Sequence, residues 1–203
     1  MSKPKLYGIA GSRAFRSLWA AEEIGLEYEQ VPTSFRGDAQ QPEYLQVNPN
    51  GRIPALEDGE LRLFESMAIN LYLARQYAPH LYSTDPAAEA QIDQWSLWAI
   101  SEIEPQQMAI VIQRFFTPEE KRDADVQARA EQALQRPLKV LDAHLSERPY
   151  LLGEQFSIAD LNLAGVMDLM KMVELDISHM THVQRWLDAC YARPSYLAAK
   201  GLK

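Results

Sequence analysis

Residues 48–74 read NPNGRIPALEDGELRLFESMAINLYLA, and the order of signals in this stretch decides how the rest of the chain is organised. Asn48-Pro49-Asn50-Gly51 is a cluster of turn formers. Ala55-Leu56-Glu57 and Leu61-Arg62-Leu63-Phe64 are short strand-like runs, and Asp58-Gly59 between them tolerates the positive φ values of a tight hairpin. Two antiparallel strands should therefore meet at Gly59. Pro54 stands where the first of these strands begins, a position at which its missing N–H costs no ladder bond and leaves the backbone of Ile53 open to a peptide-like ligand. After the hairpin, Glu65-Ser66 precedes Met67 to Ala74, so Ser66 is expected to cap a helix whose first N–H groups suit an anion such as a carboxylate.

Working towards the N-terminus, Glu27 to Val31 alternates as a strand, and Phe15 to Ile24 is an Ala- and Glu-rich helix ended by Gly25. Lys5 to Ile9 is the first strand, followed by a Gly11-Ser12 turn. Strand, helix and strand within about thirty residues predict a parallel βαβ unit. Pro32 to Val47 is polar, carries Gly37 and Pro42, and reads as loop with a short irregular helix. The order βαβαββα is thioredoxin-like, here without a Cys-x-x-Cys. Towards the C-terminus, strand alternation ends at the linker Ala78 to Pro86. Ala87 to Phe116 is helical in pattern, with Ile92, Trp95, Trp98, Ala99 and Ile103 in phase and Pro105 as an expected kink. A further helix is expected to be capped by Thr117 and to run to Leu145, bent or interrupted at Pro137. Ser157-Ile158-Ala159-Asp160 is a capping-box variant opening a buried helix, and Val183 to Ala192 and Ser195 to Leu202 give two more. The predicted fold is α/β plus all-α: a thioredoxin-like domain over residues 1–79 and an all-helical domain over 87–203, with an active cleft between them.

Composition excludes several functions. The chain of 203 residues carries a formal net charge of −8, which argues against nucleic acid and anionic membrane surfaces. No apolar run is long enough to span a bilayer and the N-terminus lacks a signal-peptide pattern, so a cytoplasmic location is expected. The single cysteine, Cys190, has no internal disulfide partner and reads as a packed residue. His179 and His182 have no third ligand beside them, so no metal is expected.

Lys5-Leu6-Tyr7-Gly8, Ser12, Phe35, the NPNGRIPAL run and Phe64-Glu65-Ser66 together resemble the cytosolic glutathione S-transferases of the serine type, phi/theta-like, over essentially the whole chain. The resemblance implies glutathione as co-substrate, no further cofactor, a cis proline at Pro54 and a homodimer built by the helix after Ser66 and the one after Pro86. It implies Ser12 as the residue that stabilises the glutathione thiolate. Ile53 and Pro54 would pair with the cysteinyl backbone, Glu65 and Ser66 would hold the γ-glutamyl end, and Gln40 and Arg52 fall at the glycyl carboxylate. Two of these depart from the phi pattern, which has Lys at the place of Gln40 and Gln at the place of Arg52; the turn after Ser12 is also one residue shorter.

The chemistry required of Ser12 is modest. Holding a thiol ionised near neutrality means lowering its pKa from about 8.5 by about two units, or about 2.7 kcal/mol. One hydrogen bond to a charged sulfur supplies roughly 1.5–3 kcal/mol and a helix N-terminus roughly 0.3–1. A serine that only caps the first helix is the competing reading. Arg13 and Arg16 could steer an anionic tripeptide or be solvated. Phe35, Met108, Ile112, Phe115 and Phe116 could line a pocket for a small apolar electrophile or be core. The same scaffold would also serve a glutathione-dependent peroxidase, isomerase or dehalogenase, or a non-catalytic protein binding glutathione or a hydrophobe.

Overall fold

The computed structural model describes residues 3–202, which form two compact units, one of residues 3–84 with 192–202 and the other of residues 85–191. Residues 192–202 thus pack within the first unit. In that unit the described residues form one four-stranded sheet of order β2-β1-β3-β4, from β1 (Lys5–Tyr7), β2 (Glu29–Val31), β3 (Ala55–Asp58) and β4 (Leu61–Phe64). The β1/β2 pair is parallel, as the βαβ spacing predicts, and β1/β3 and β3/β4 are antiparallel. Asp58 pairs with Leu61, so the hairpin loop is Gly59-Glu60 with Gly59 at φ 61°.

Helix α1 (Phe15–Ile24) buries Phe15, Leu18, Trp19, Ala20 and Ala21, and ends as expected at Gly25, whose left-handed φ of 69° lets its N–H reach the Ala21 and Glu22 carbonyls. The polar segment that follows β2 holds a 3-10 turn, Asp38–Gln40, and the single-turn α2 (Pro42–Leu45). Helix α3 (Ser66–Tyr77) starts one residue earlier than a Ser66 cap would allow. Ser66 is its first residue and the cap position falls to Glu65, which takes φ 72° and makes no side-chain capping bond. The hydroxyls of Tyr72 and Tyr77 both donate to the Asp58 carboxylate, tying α3 to the hairpin.

Across β1/β3 the Tyr7 hydroxyl donates to Glu57, and Arg62 on β4 meets the other Glu57 oxygen at 3.0 Å. The Tyr7 donor first, and Arg62 with it, hold the Glu57 carboxyl below its ordinary value. A depressed carboxyl contributes stability above its unfolded value, and that contribution is lost as pH falls through the folded value. Glu57→Gln is therefore expected to flatten the acid limb of the stability profile below about pH 5, read as the unfolding midpoint against pH. An unchanged acid limb would show that the Tyr7–Glu57–Arg62 group contributes nothing.

The second unit is built of helices joined by loops, with an isolated bridge between Tyr150 and Gly153. Helix α4 (Pro86–Trp98) is capped by Asp85, whose carboxylate accepts from the Ala88 N–H at 3.0 Å. It passes into α5 (Glu104–Val111) through a π turn at Ala99–Ile103, where the Glu104 N–H reaches the Ala99 carbonyl. Pro105 cannot donate to the carbonyl four residues back, and the π turn immediately before it widens the register there. A second π turn, Ile112–Phe116, ends on the Thr117 N–H bonding the Ile112 carbonyl at 2.9 Å. Thr117 does not cap the next helix, contrary to expectation. Glu119–Lys121 is a 3-10 turn, and α6 (Ala124–Leu145) starts beyond it because the Asp123 carboxylate accepts from the Asp125 and Val126 N–H groups. Pro137 lies inside α6, which is not interrupted there.

Helix α7 (Ile158–Met167) is buried along its whole length, followed by α8 (Leu169–Val173) and α9 (Thr181–Tyr191). The expected capping box is present, with the Asp160 carboxylate accepting from the Ser157 N–H and hydroxyl. Asp142 on α6 caps α9 from a distance in sequence, accepting from the His182 and Val183 N–H groups at 2.9 and 3.0 Å. Among the described residues no helix is long and apolar enough to cross a membrane.

Candidate functional site

The sheet register brings three segments to one end of the first unit. Tyr7 pairs with Ala55 and Ala55 with Phe64, so the turn after Tyr7, the residues before Ala55 and those after Phe64 emerge side by side. These are Gly8 to Ser12, Ile53-Pro54, whose peptide bond is cis as expected, and Glu65-Ser66. Gly8 shows how close the first two are: a Cβ there would lie 2.2 Å from the Ala14 Cβ and 3.6 Å from the Ile53 Cβ. Only glycine, at φ 138°, fits that approach.

Ile53 is positioned by its neighbours. Tyr44 on α2 donates its hydroxyl to the Arg52 carbonyl at 2.6 Å, and the Asn48 amide donates to the same oxygen at 2.7 Å. The Asn48 side-chain oxygen in turn accepts from the Asn50 N–H at 3.0 Å. Gln40 donates to the Gly51 carbonyl at 2.8 Å, so its amide stabilises the loop ahead of Ile53, while the Arg52 side chain is exposed. Ile53 itself packs with Ala39, Tyr44, Val47 and Ala55, against Tyr7 and Ile9. The sequence places Asn48 only in a turn cluster and assigns Tyr44 no role, because a side-chain bond to a backbone oxygen across a loop leaves no local pattern. Asn48→Ala removes three hydrogen bonds from a buried side chain, one to the Arg52 carbonyl and two from Asn50, and should cost about 1–2 kcal/mol, measured by denaturant unfolding. A loss below a few tenths would mean that the Tyr44 and Gln40 bonds hold the loop without Asn48.

Ser12 is half-buried. Its hydroxyl donates to the Ile9 carbonyl at 2.7 Å and accepts from the Ala14 N–H at 3.1 Å. The Ile9 carbonyl also accepts from the Ser12 N–H at 3.1 Å, so it keeps a partner if the hydroxyl proton turns elsewhere. Tyr7 is unsuited to activate a thiol, because its donor is committed to Glu57 and burial together with that carboxylate raises its pKa. Glu65 occupies a backbone region that costs a non-glycine residue roughly 1–2 kcal/mol, and such strain persists where surrounding structure holds it. Ser66 is buried beside it at the N-terminus of α3.

Arg16 is 2% exposed and cannot be a steering residue at the surface, and its carbonyl accepts from Asn70 of α3 at 3.2 Å. Phe35 belongs to the loop after β2 and lies exposed in the first unit. Met108 is partly buried on α5, and Ile112, Phe115 and Phe116 follow on the second π turn, both phenylalanines 53% exposed. At that exposure Ile112, Phe115 and Phe116 are not core side chains of the second unit.

Family models of the glutathione S-transferase N-terminal and C-terminal domains match residues 2–75 and 103–194. Glutathione S-transferase 4 of Zea mays is 36% identical over 199 residues, covering 94% of this chain and 89% of the maize protein. A theta class glutathione S-transferase from Xanthomonas axonopodis pv. citri, solved with glutathione bound, superposes with a TM-score of 0.88 at 33% identity and covers 100% of this chain and 99% of its own. Glutathione S-transferase I from mais, in complex with an atrazine glutathione conjugate, superposes with a TM-score of 0.88 at 32% identity, covering 98% and 97%. Full-length likeness in sequence, both domain models and the thioredoxin-like sheet with its helical second unit agree, and the chain belongs to the glutathione S-transferase family.

Proposed function

We propose that this protein conjugates glutathione to small, mostly apolar electrophiles, with Ser12 as the residue that stabilises the thiolate. The observation that carries the reading is the packing of Gly8 between Ala14 and Ile53, which sets the Ser12 turn beside the Ile53-Pro54 backbone. A tripeptide paired with Ile53 would present its cysteinyl sulfur to that turn. The Ser12 hydroxyl would leave the Ile9 carbonyl, which retains the Ser12 N–H, and donate to the sulfur. Glu65 and Ser66 would hold the γ-glutamyl end at the start of α3, and Gln40 and Arg52 would lie towards the glycyl carboxylate. Residues 1–79 would bind glutathione, and Met108, Ile112, Phe115 and Phe116 of the helical unit would offer the electrophile an apolar surface.

In the reaction, the thiol proton passes to solvent and the thiolate sulfur attacks an electrophilic carbon. The carbon–sulfur bond forms as a leaving group such as halide departs with its electron pair. An aryl halide assay with glutathione tests this: saturable conjugation is expected. Binding of glutathione without turnover of any aryl halide or epoxide would overturn the transferase reading. The protein would work in the cytoplasm as a homodimer. Leu97, 60% exposed on α4, and the exposed Ile100 after it supply apolar surface for a partner copy. Light scattering at micromolar concentration should report twice the 23.1 kDa chain mass. A monomer would contradict the dimer.

A further inference from the structure

Helix α1 carries the Ser12 turn at its N-terminus, and the last residues of the first unit run along it. α10 (Pro194–Ala199) packs on α1, and every turn of α1 is held from that side. At the far end Glu23, whose side chain is 8% exposed, pairs with Arg193 and accepts from the Ser195 hydroxyl. In the middle the Trp19 indole N–H donates to the Ser195 oxygen at 3.1 Å, and the Tyr196 ring meets Trp19 edge-on at 5.2 Å. At the near end Tyr196 also packs edge-on against Phe15, the first residue of α1, at 5.5 Å, and the Lys200 ammonium sits 3.9 Å above the Phe15 ring.

The Ser12 hydroxyl bonds within its own turn, to Ile9 and Ala14, and the Ser12 carbonyl accepts from the Phe15 N–H at 3.0 Å. Its position relative to Ile53-Pro54 therefore depends on the Gly8–Ala14–Ile53 packing and on where the first turn of α1 sits, and the Phe15 ring is one handle on that turn. We infer that residues 193–200 are a positioning element for the Ser12 turn, seating the start of α1 through Tyr196 and Lys200 while Glu23 and Arg193 lock its other end. The inference rests on the proposed role of Ser12. A hydroxyl that must meet a sulfur within hydrogen-bonding distance loses most of its effect when displaced by about 1 Å, so seating matters more for ionisation than for tripeptide binding. The other charged groups on α1 and the elements packed against it are Arg13, Arg16 and Glu22 from the turn and α1, and Glu65 and Arg75 flanking and within α3.

The test uses the full chain and four variants: Lys200→Met, Lys200→Arg, Glu23→Gln and Ser12→Ala. Thermal midpoint, glutathione KM, kcat and the ultraviolet titration of the bound thiolate are measured for each. Lys200→Met keeps the aliphatic stem and removes the cation over Phe15. It should lower kcat about two- to fivefold at neutral pH, the factor a partly exposed cation–π contact is worth, and raise the thiol titration by about 0.3–0.7 unit with KM unchanged. Lys200→Arg should restore both, and Glu23→Gln should move them in the same direction as Lys200→Met. If Ser12→Ala shifts the thiolate titration while Lys200→Met and Glu23→Gln lower only the thermal midpoint, the C-terminal segment is structural and the inference is wrong. If Ser12→Ala leaves the titration unmoved, the role of Ser12 fails first, and this inference falls with it.

Discussion

Asp160→Ala is expected to destabilise the protein by about 3–5 kcal/mol, the largest effect of any single substitution considered. The carboxylate is fully buried and accepts from the Leu151 N–H at 2.8 Å, the Trp186 indole at 2.9 Å, and the Ser157 N–H and hydroxyl at 2.9 and 2.8 Å. Burial pushes the Asp160 carboxyl up from its ordinary value, and these four donors oppose that push. Alanine leaves all four donors without an acceptor inside the second unit, each worth roughly 1–3 kcal/mol unsatisfied, though not additively. Three separate pieces come apart at once: the start of α7, the loop at Leu151 and the middle of α9 through Trp186. For a chain of this length the thermal midpoint should fall by roughly 6–20 °C, and Asp160→Asn, which keeps one acceptor oxygen, should lose about half as much. A fall of less than about 1 kcal/mol for Asp160→Ala would show that water replaces the carboxylate.

Ser12→Ala is the second. Removing a charge-assisted bond of roughly 1.5–3 kcal/mol raises the bound thiol by about one to two pKa units, a ten- to hundredfold loss of turnover at neutral pH. The expected loss in glutathione affinity is small, because in the proposed site Ile53, Glu65 and Ser66 would hold the rest of the tripeptide. Stability should also change little. The hydroxyl contributes only the Ile9 and Ala14 contacts of its own turn, and the Ile9 carbonyl keeps the Ser12 N–H.

What was legible in the sequence is what local chemistry decides. Helix α1 runs from Phe15 to Ile24 as expected, because its stop is one left-handed glycine. The hairpin closes at Gly59 and the capping box opens α7, each through partners within three residues. Where the reading missed, a second local signal competed or the deciding partner was remote. Thr117 and Asp123 are both good caps, and one Asp123 carboxylate oxygen, accepting from two N–H groups, starts α6 there. Ser66 looks like a cap until Glu65 takes φ 72°, which no residue type at that position announces. The return of residues 192–202 to the first unit is made by contacts with α1 such as the Arg193–Glu23 pair, 170 residues apart in sequence. No periodicity encodes such a partner. At the site, Ser12, Ile53 and Pro54 were legible as a pattern, while the Tyr44 and Asn48 bonds that fix the Arg52 carbonyl were not, since they join side chains to a backbone oxygen across a loop.

The most direct measurement of Ser12's role is the ultraviolet titration of the glutathione thiolate bound to the wild type and to Ser12→Ala. The wild-type complex should be mostly ionised at neutral pH, about two units below free thiol, and the variant should titrate about one to two units higher while still binding glutathione. A variant whose bound thiolate titrates at the wild-type pH, with only a lower thermal midpoint to show for the lost hydroxyl, would contradict it and leave Ser12 as the cap of its own turn.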